Sequence, residues 1–81
     1  MPDTYTSKHD TAVYTFATDR EAWTFTHACD VADLAAGFPS LDGQHSVKVS
    51  IPTWMARETA DRLAGRQPVA YYFAGQVIPH V

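Results

Sequence analysis

The pattern of apolar and polar residues predicts two strands. In 45–51, Val47, Val49 and Ile51 alternate with Ser46, Lys48 and Ser50, and this period of two predicts a strand with one face in contact with water. Residues 11–17 are rich in residues that favour strands. They place Ala12, Tyr14 and Phe16 on one face and Val13, Thr15 and Ala17 on the other.

A helix is predicted between these strands. Thr18 and Glu21 have the spacing of a capping box, in which each side chain accepts a hydrogen bond from a free backbone amide of the first turn. The helix is expected to cover 19–36, because Gly37 can adopt the left-handed cap conformation and Pro39 blocks continuation. At about 100° per residue, its small and apolar stripe comprises Phe25, Ala28, Cys29, Ala32 and Ala36.

A competing interpretation makes part of this segment a strand. Residues 23–27 also alternate, so Asp19 and Arg20 could form the turn of a hairpin with the first strand, which would leave only 30–36 helical. We favour the long helix, because the capping box and the small-residue stripe both agree with it.

A second helix is predicted after the second strand. Pro52 ends that strand, Thr53 can cap a helix over 54–64, and Gly65 can stop it. Its apolar stripe comprises Ala56, Ala60 and Leu63. The stripe is expected to face the sheet.

Two short strands are expected at the end of the chain. Residues 69–73 and 76–78 are rich in residues that favour strands, and 74–75 read as the tight turn of a hairpin. The predicted order is βαβαββ, an α/β two-layer sandwich with two helices on one face of a mostly antiparallel sheet. We expect 1–10 to be a disordered tail and 11–81 to be a single domain.

Composition narrows the possible functions. The formal charge of −3 and the lack of a basic block disfavour nucleic-acid binding. No apolar stretch is long enough to cross a bilayer, no secretory leader is recognisable, and the lone cysteine cannot form an internal disulfide, so the expected location is the cytoplasm. The absence of asparagine, the scarcity of lysine and the abundance of alanine are typical of a GC-rich bacterial or phage genome.

Few residues carry a recognisable chemistry. The four histidines, at positions 9, 27, 45 and 80, and Cys29 make no zinc pairing of the CxxC or HxxxH type. His27 and Cys29 could share a metal on a strand but not on a helix, so a metal sensor built on them, with or without His45, is kept only as an alternative. No serine elbow or phosphate-binding glycine loop is present, and we expect no cofactor, no metal and no catalysis.

Exposed aromatic residues suggest a contact surface instead. Trp54 is predicted to project from the charged face of the second helix, opposite the apolar stripe. Tryptophan and arginine are enriched at binding hot spots. The interface candidates are Trp54, Arg57, Glu58 and Asp61 on the second helix and Trp23, Asp30 and Leu34 on the first.

These features predict a protein that binds a larger host protein or complex. Small phage and mobile-element proteins with few motifs include inhibitors of host machinery, and a chain of this size and charge is compatible with an anti-CRISPR-like inhibitor. A homodimeric regulator, in which the aromatic surfaces meet their symmetry mates, is the other alternative. Solution mass and metal content separate these hypotheses.

Overall fold

A four-stranded antiparallel sheet carries the helices in the computed structural model, which describes residues 4–6, 8–40, 43–52, 54–55 and 57–79. The elements in chain order are β1 (Thr4–Thr6), β2 (Asp10–Thr15), α1 (Asp19–Val31), β3 (Ala35–Ala36), β4 (Ser46–Ile51), α2 (Arg57–Ala64), β5 (Ala70–Tyr72) and β6 (Val77–Pro79). The strand order is β3-β4-β2-β5, and β1 pairs with β6 in a separate two-stranded sheet. The predicted α/β arrangement of two helices on an antiparallel sheet is confirmed.

The core forms where the two alternating strands meet the helices. β2 and β4 pair in a register that sets Ala12 opposite Val49 and Tyr14 opposite Val47, so their apolar residues share one face. That face is buried in both strands, and for β4 this agrees with the alternation in the sequence. Phe25 of α1 packs edge-on against Tyr14, with ring centroids 5.1 Å apart. The sheet and α1 therefore share a continuous aromatic core.

Helix α1 begins where the sequence predicted and ends earlier. The Thr18 side chain accepts a hydrogen bond from the backbone N–H of Glu21, and residues 23–27 are helical, so the hairpin interpretation is wrong. The predicted end at residue 36 is also wrong. Asp33 takes the left-handed conformation with φ 63°, and the Leu34 N–H donates to the Cys29 carbonyl, which is the closing bond of a Schellman cap.

The predicted disordered tail is wrong at residues 4–6 and at Asp10. Thr4–Thr6 forms β1 and pairs with β6, while Asp10 opens β2. Pairing between the two ends of the chain supplies the hydrogen bonds that make these polar residues a strand. Residues 1–3 and 7 lie outside the described residues.

The last two strands do not form the predicted hairpin. The turn itself is present, with Gly75 at φ 85° and a hydrogen bond from the Gln76 N–H to the Phe73 carbonyl. However, β5 pairs with β2 and β6 pairs with β1. Asp10 accepts a hydrogen bond of 2.8 Å from the Ala74 N–H, which holds the turn against β2.

Helix α2 is shorter than predicted at its start. It begins at Arg57, and Trp54 lies in the preceding turn, where the Met55 N–H donates to the Pro52 carbonyl. The proposed cap at Thr53 and the stripe residue Ala56 lie outside the described residues. Ala60 is fully buried, and Gly65 ends the helix at φ 69° as predicted. Within the described residues, neither helix has the length and apolar character needed to cross a bilayer.

Candidate functional site

A groove lies between α1 and the edge strand β3. It has a volume of about 340 Å³ and is open to solvent. The lining residues are Trp23, Thr26, His27 and Asp30 from α1, and Leu34, Ala35, Ala36 and Phe38 from the segment that follows it. Three of the sequence-predicted interface residues, Trp23, Asp30 and Leu34, are therefore brought together here.

The early end of α1 forms this groove. At Asp33 the left-handed turn reverses the chain, so the next residues run back beside the helix and pair with β4. Leu34 is only 3% exposed and anchors the turn in the core. A helix that continued to residue 36 would have no strand beside it, so the cap at Asp33 is what creates the second wall.

Two aromatic side chains stand at the mouth of the groove. Trp23 is 46% exposed and Phe38 is 81% exposed, and their ring centroids are 5.6 Å apart with planes tilted by 46°. This separation is within the range of favourable aromatic pairs. The pair leaves a large apolar surface in contact with water, which is unusual unless another molecule covers it.

The polar residues of the groove lie on its helical wall. The Thr26 hydroxyl donates to the Gly37 carbonyl at 3.4 Å, which links α1 to the segment after β3. His27 and Asp30 are exposed. No basic residue occupies the last turn of α1, so Asp30 adds to the partial negative charge that a helix carries at its C-terminus.

The predicted interface residues of the second helix differ in their surroundings. Arg57 stacks on the ring of Tyr71, 4.5 Å from its centroid, and Asp61 accepts a hydrogen bond from the Tyr14 hydroxyl. These two charges therefore have internal structural contacts. Glu58 is exposed, and Trp54 is 76% exposed, but Trp54 lies before α2 rather than on its charged face.

A second, wider depression follows α2 and has a volume of about 510 Å³. It is lined by Glu58, Asp61, Arg62, Gly65, Arg66 and Gln67. Arg66 donates to the Thr15 carbonyl at 2.7 Å and lies 4.5 Å from the centre of the Phe16 ring. Because Arg66 and Asp61 are held by contacts within the fold, we take the groove between α1 and β3 as the candidate site.

The residues of the metal alternative are not brought together. His27 is exposed, whereas Cys29 is fully buried. Across the part of the chain that the structure describes, no group of three His, Cys, Asp or Glu side chains is arranged to hold a metal ion. Burial raises the pKa of the Cys29 thiol to about 11, which keeps the thiol protonated and unreactive at neutral pH.

Phe38 is the site residue that the sequence analysis missed. It follows Gly37, the predicted cap of the first helix, and precedes Pro39, so the sequence analysis gave it no element and no role. Leu34, Ala35 and Ala36 are all apolar, so this stretch has no alternation that would distinguish a strand from the end of the helix.

No protein-family model matches this sequence, and searches of the curated proteins and of the solved structures return no match.

Proposed function

We propose that this chain is a non-catalytic module that binds another protein through the groove between α1 and β3. The observation that supports this function best is the exposed Trp23–Phe38 pair at the mouth of an apolar groove. Binding energy at protein interfaces is concentrated in such aromatic anchors and in the pockets beside them.

The walls of the groove suit an apolar side chain from a partner. Leu34 is buried beneath it, and Ala35 and Ala36 have side chains too small to fill it. A side chain inserted there would contact both rings and displace water from apolar surface. Trp54, on the segment before α2, is a further exposed aromatic that a large partner could cover.

The narrower hypothesis is inhibition or regulation of a larger host complex by a phage or mobile-element protein, of the anti-CRISPR type. Its support is the small size and the net charge of −3 together with the groove that is open to solvent. A small chain with one apolar docking site has the features expected of an inhibitor that acts by occupying a surface.

The experiment compares two serine variants with the wild type in affinity capture from a bacterial lysate. Phe38→Ser removes an 81% exposed ring that lines the groove. Val31→Ser is the matched control, because Val31 is 75% exposed at the end of α1, the helix that forms one wall of the groove, but does not line the groove. Both variants should fold, since neither residue belongs to the core.

We expect the wild type and Val31→Ser to retain the same stoichiometric partner and Phe38→Ser to lose it. Retention of that partner by Phe38→Ser, or capture of none by the wild type, would overturn the proposal. Native mass spectrometry of the purified chain tests the homodimer alternative: a dimer that Phe38→Ser converts to a monomer would assign the groove to a second copy of this chain.

A further inference from the structure

The groove between α1 and β3 runs beside an open sheet edge. β3 is the last strand of its sheet, and among the residues that the structure describes it pairs only with β4. The Gly37 N–H donates to the Lys48 carbonyl at 2.9 Å, and Ala36 lies opposite Val49. Because hydrogen-bonded and non-bonded pairs alternate in an antiparallel ladder, the N–H and C=O of Ala36 are directed away from β4, to the side where the sheet ends.

This edge is short, but β3 itself carries neither a proline nor a charged side chain that would block pairing with another chain. Edge strands are commonly blocked by proline, by charged side chains or by a covering element. β3 consists of two alanines, and Ala35 is exposed. Small side chains allow a second backbone to approach closely, so an extended peptide can add to the sheet here.

The end of the groove at the C-terminus of α1 is negatively charged. Asp30 lines the groove, Asp33 follows it at the left-handed turn outside the lining, and both side chains are exposed. In the described part of the chain, it is Glu21 of the first turn that pairs with Arg66, at 3.8 Å, while Asp19 lies 3.9 Å from a ring nitrogen of His45. The unpaired carboxylates add to the negative end of the helix dipole, an environment that attracts a cation.

We infer that the occupant of the groove is an extended, basic segment of the partner protein, which adds as a strand to the edge of β3. One apolar side chain of the segment packs against Trp23 and Phe38, and a lysine or arginine beside it contacts Asp30 and Asp33. This inference rests on the proposed function, and it specifies the chemistry of the partner.

The test starts with selection of short random peptides displayed on phage against the purified chain. We expect enriched peptides to combine an aromatic or aliphatic residue with a nearby lysine or arginine. Affinity of the enriched peptide is then measured in a Trp54→Phe background, because the chain has two tryptophans and Trp23 becomes the sole fluorescent reporter, located in the groove.

Charge variants test the acidic end of the groove. Asp30→Asn combined with Asp33→Asn should weaken the enriched peptide roughly fivefold at low ionic strength, and added salt should reduce that difference. Asn is well tolerated in the left-handed conformation of Asp33, so the cap is kept. Asp19→Asn with Glu58→Gln, which removes two negative charges elsewhere, is the matched control and should leave the affinity within about a factor of two.

Backbone methylation tests strand addition. Two versions of the enriched peptide carry N-methyl groups on alternate residues, one on the odd and one on the even positions. In one version the methyl groups replace the N–H donors that face β3, and in the other they replace the N–H donors that face solvent. Only the first version should lose binding. Equal effects of both versions, a consensus without basic residues, or no enriched peptide would overturn the inference. If Phe38→Ser still loses its lysate partner in those cases, the proposed function stands and only the description of the partner fails.

Discussion

The Tyr14 hydroxyl donates a hydrogen bond of 2.5 Å to Oδ1 of Asp61 and thereby joins the central strand β2 to helix α2. Tyr14 is completely buried, and its ring also packs edge-on against Phe25 of α1. One side chain therefore contacts both helices from the sheet. Burial, together with the hydrogen bond to Asp61, raises the pKa of Tyr14 well above its usual value.

Removal of this hydroxyl should weaken the fold. In Tyr14→Phe the ring packing is kept, but the half-buried Asp61 carboxylate loses its donor, and we expect a loss of about 1–2 kcal/mol in the free energy of unfolding. Urea denaturation measures this loss. Tyr72→Phe is the control, since among the described residues the Tyr72 hydroxyl has no hydrogen-bond partner, and its effect should stay within about 0.5 kcal/mol. Equal losses in the two variants would contradict the assignment.

Stability should fall in alkaline solution because the fold raises the pKa of two tyrosines and one cysteine. Burial and the hydrogen bond to Asp10 raise the pKa of Tyr71 to about 12, and burial raises that of Cys29 to about 11, while Tyr14 is shifted in the same direction. The unfolded chain therefore loses these protons at lower pH than the folded chain. The stabilisation is complete below the ordinary values of 9.0 for cysteine and 10.0 for tyrosine and is lost as the pH rises through the folded values.

A series of urea midpoints across this pH range measures the effect. We expect a constant midpoint up to about pH 9 and a steady decrease toward pH 12. Tyr71→Phe should make the decrease shallower, because one of the three groups no longer ionises. A wild-type midpoint that stays constant to about pH 11 would contradict the shifts.

Local patterns predicted the parts of the fold that depend on neighbouring residues. The strand β4 followed from the alternation of Val47, Val49 and Ile51, and the start of α1 followed from Thr18, whose capping partner is three residues away. In both cases the pattern and its structural consequence lie within a few positions of each other. The local preference of the residues and their burial in the fold then favour the same secondary structure.

Features that depend on distant contacts were not predictable in this way. β1 has a polar sequence and exists through pairing with β6 at the other end of the chain. The groove was missed because α1 ends at Val31 and the chain reverses at Asp33, where an aspartate adopts a conformation usually taken by glycine. Burial of Leu34 stabilises that turn, and sequence periodicity alone does not report it.

Asp10 should hold the turn between β5 and β6 in place. Its two carboxylate oxygens accept hydrogen bonds from the Tyr71 hydroxyl at 2.7 Å and from the Ala74 N–H at 2.8 Å. Asp10→Ala removes both acceptors, and we expect a loss of about 2 kcal/mol in the free energy of unfolding. Asp10→Asn retains one acceptor oxygen, so its loss should be smaller.

Hydrogen exchange locates this effect. The Ala74 amide should exchange faster in Asp10→Ala, whereas the Gln76 amide, which donates to the Phe73 carbonyl within the turn, should change less. Unchanged exchange at Ala74 would show that the turn does not depend on Asp10.

A single substitution at Asp33, the left-handed residue after α1, should stabilise the chain. A side chain at φ 63° costs free energy that glycine does not incur. Asp33→Gly should therefore raise the free energy of unfolding by about 0.5–1 kcal/mol, measured by thermal and urea denaturation. Asp33→Val should lower the free energy of unfolding by about 1 kcal/mol, since a β-branched residue is strained in this conformation.

Asp33→Asn separates the effect of conformation from the effect of charge. Both the glycine and the asparagine variants remove a negative charge from the C-terminus of α1, where it is unfavourable, but only glycine also removes the side chain. We expect the glycine variant to be the more stable of the two. Equal stability would mean that the charge and not the backbone conformation limits the cap, and that the reversal of the chain into β3 depends mainly on burial of Leu34.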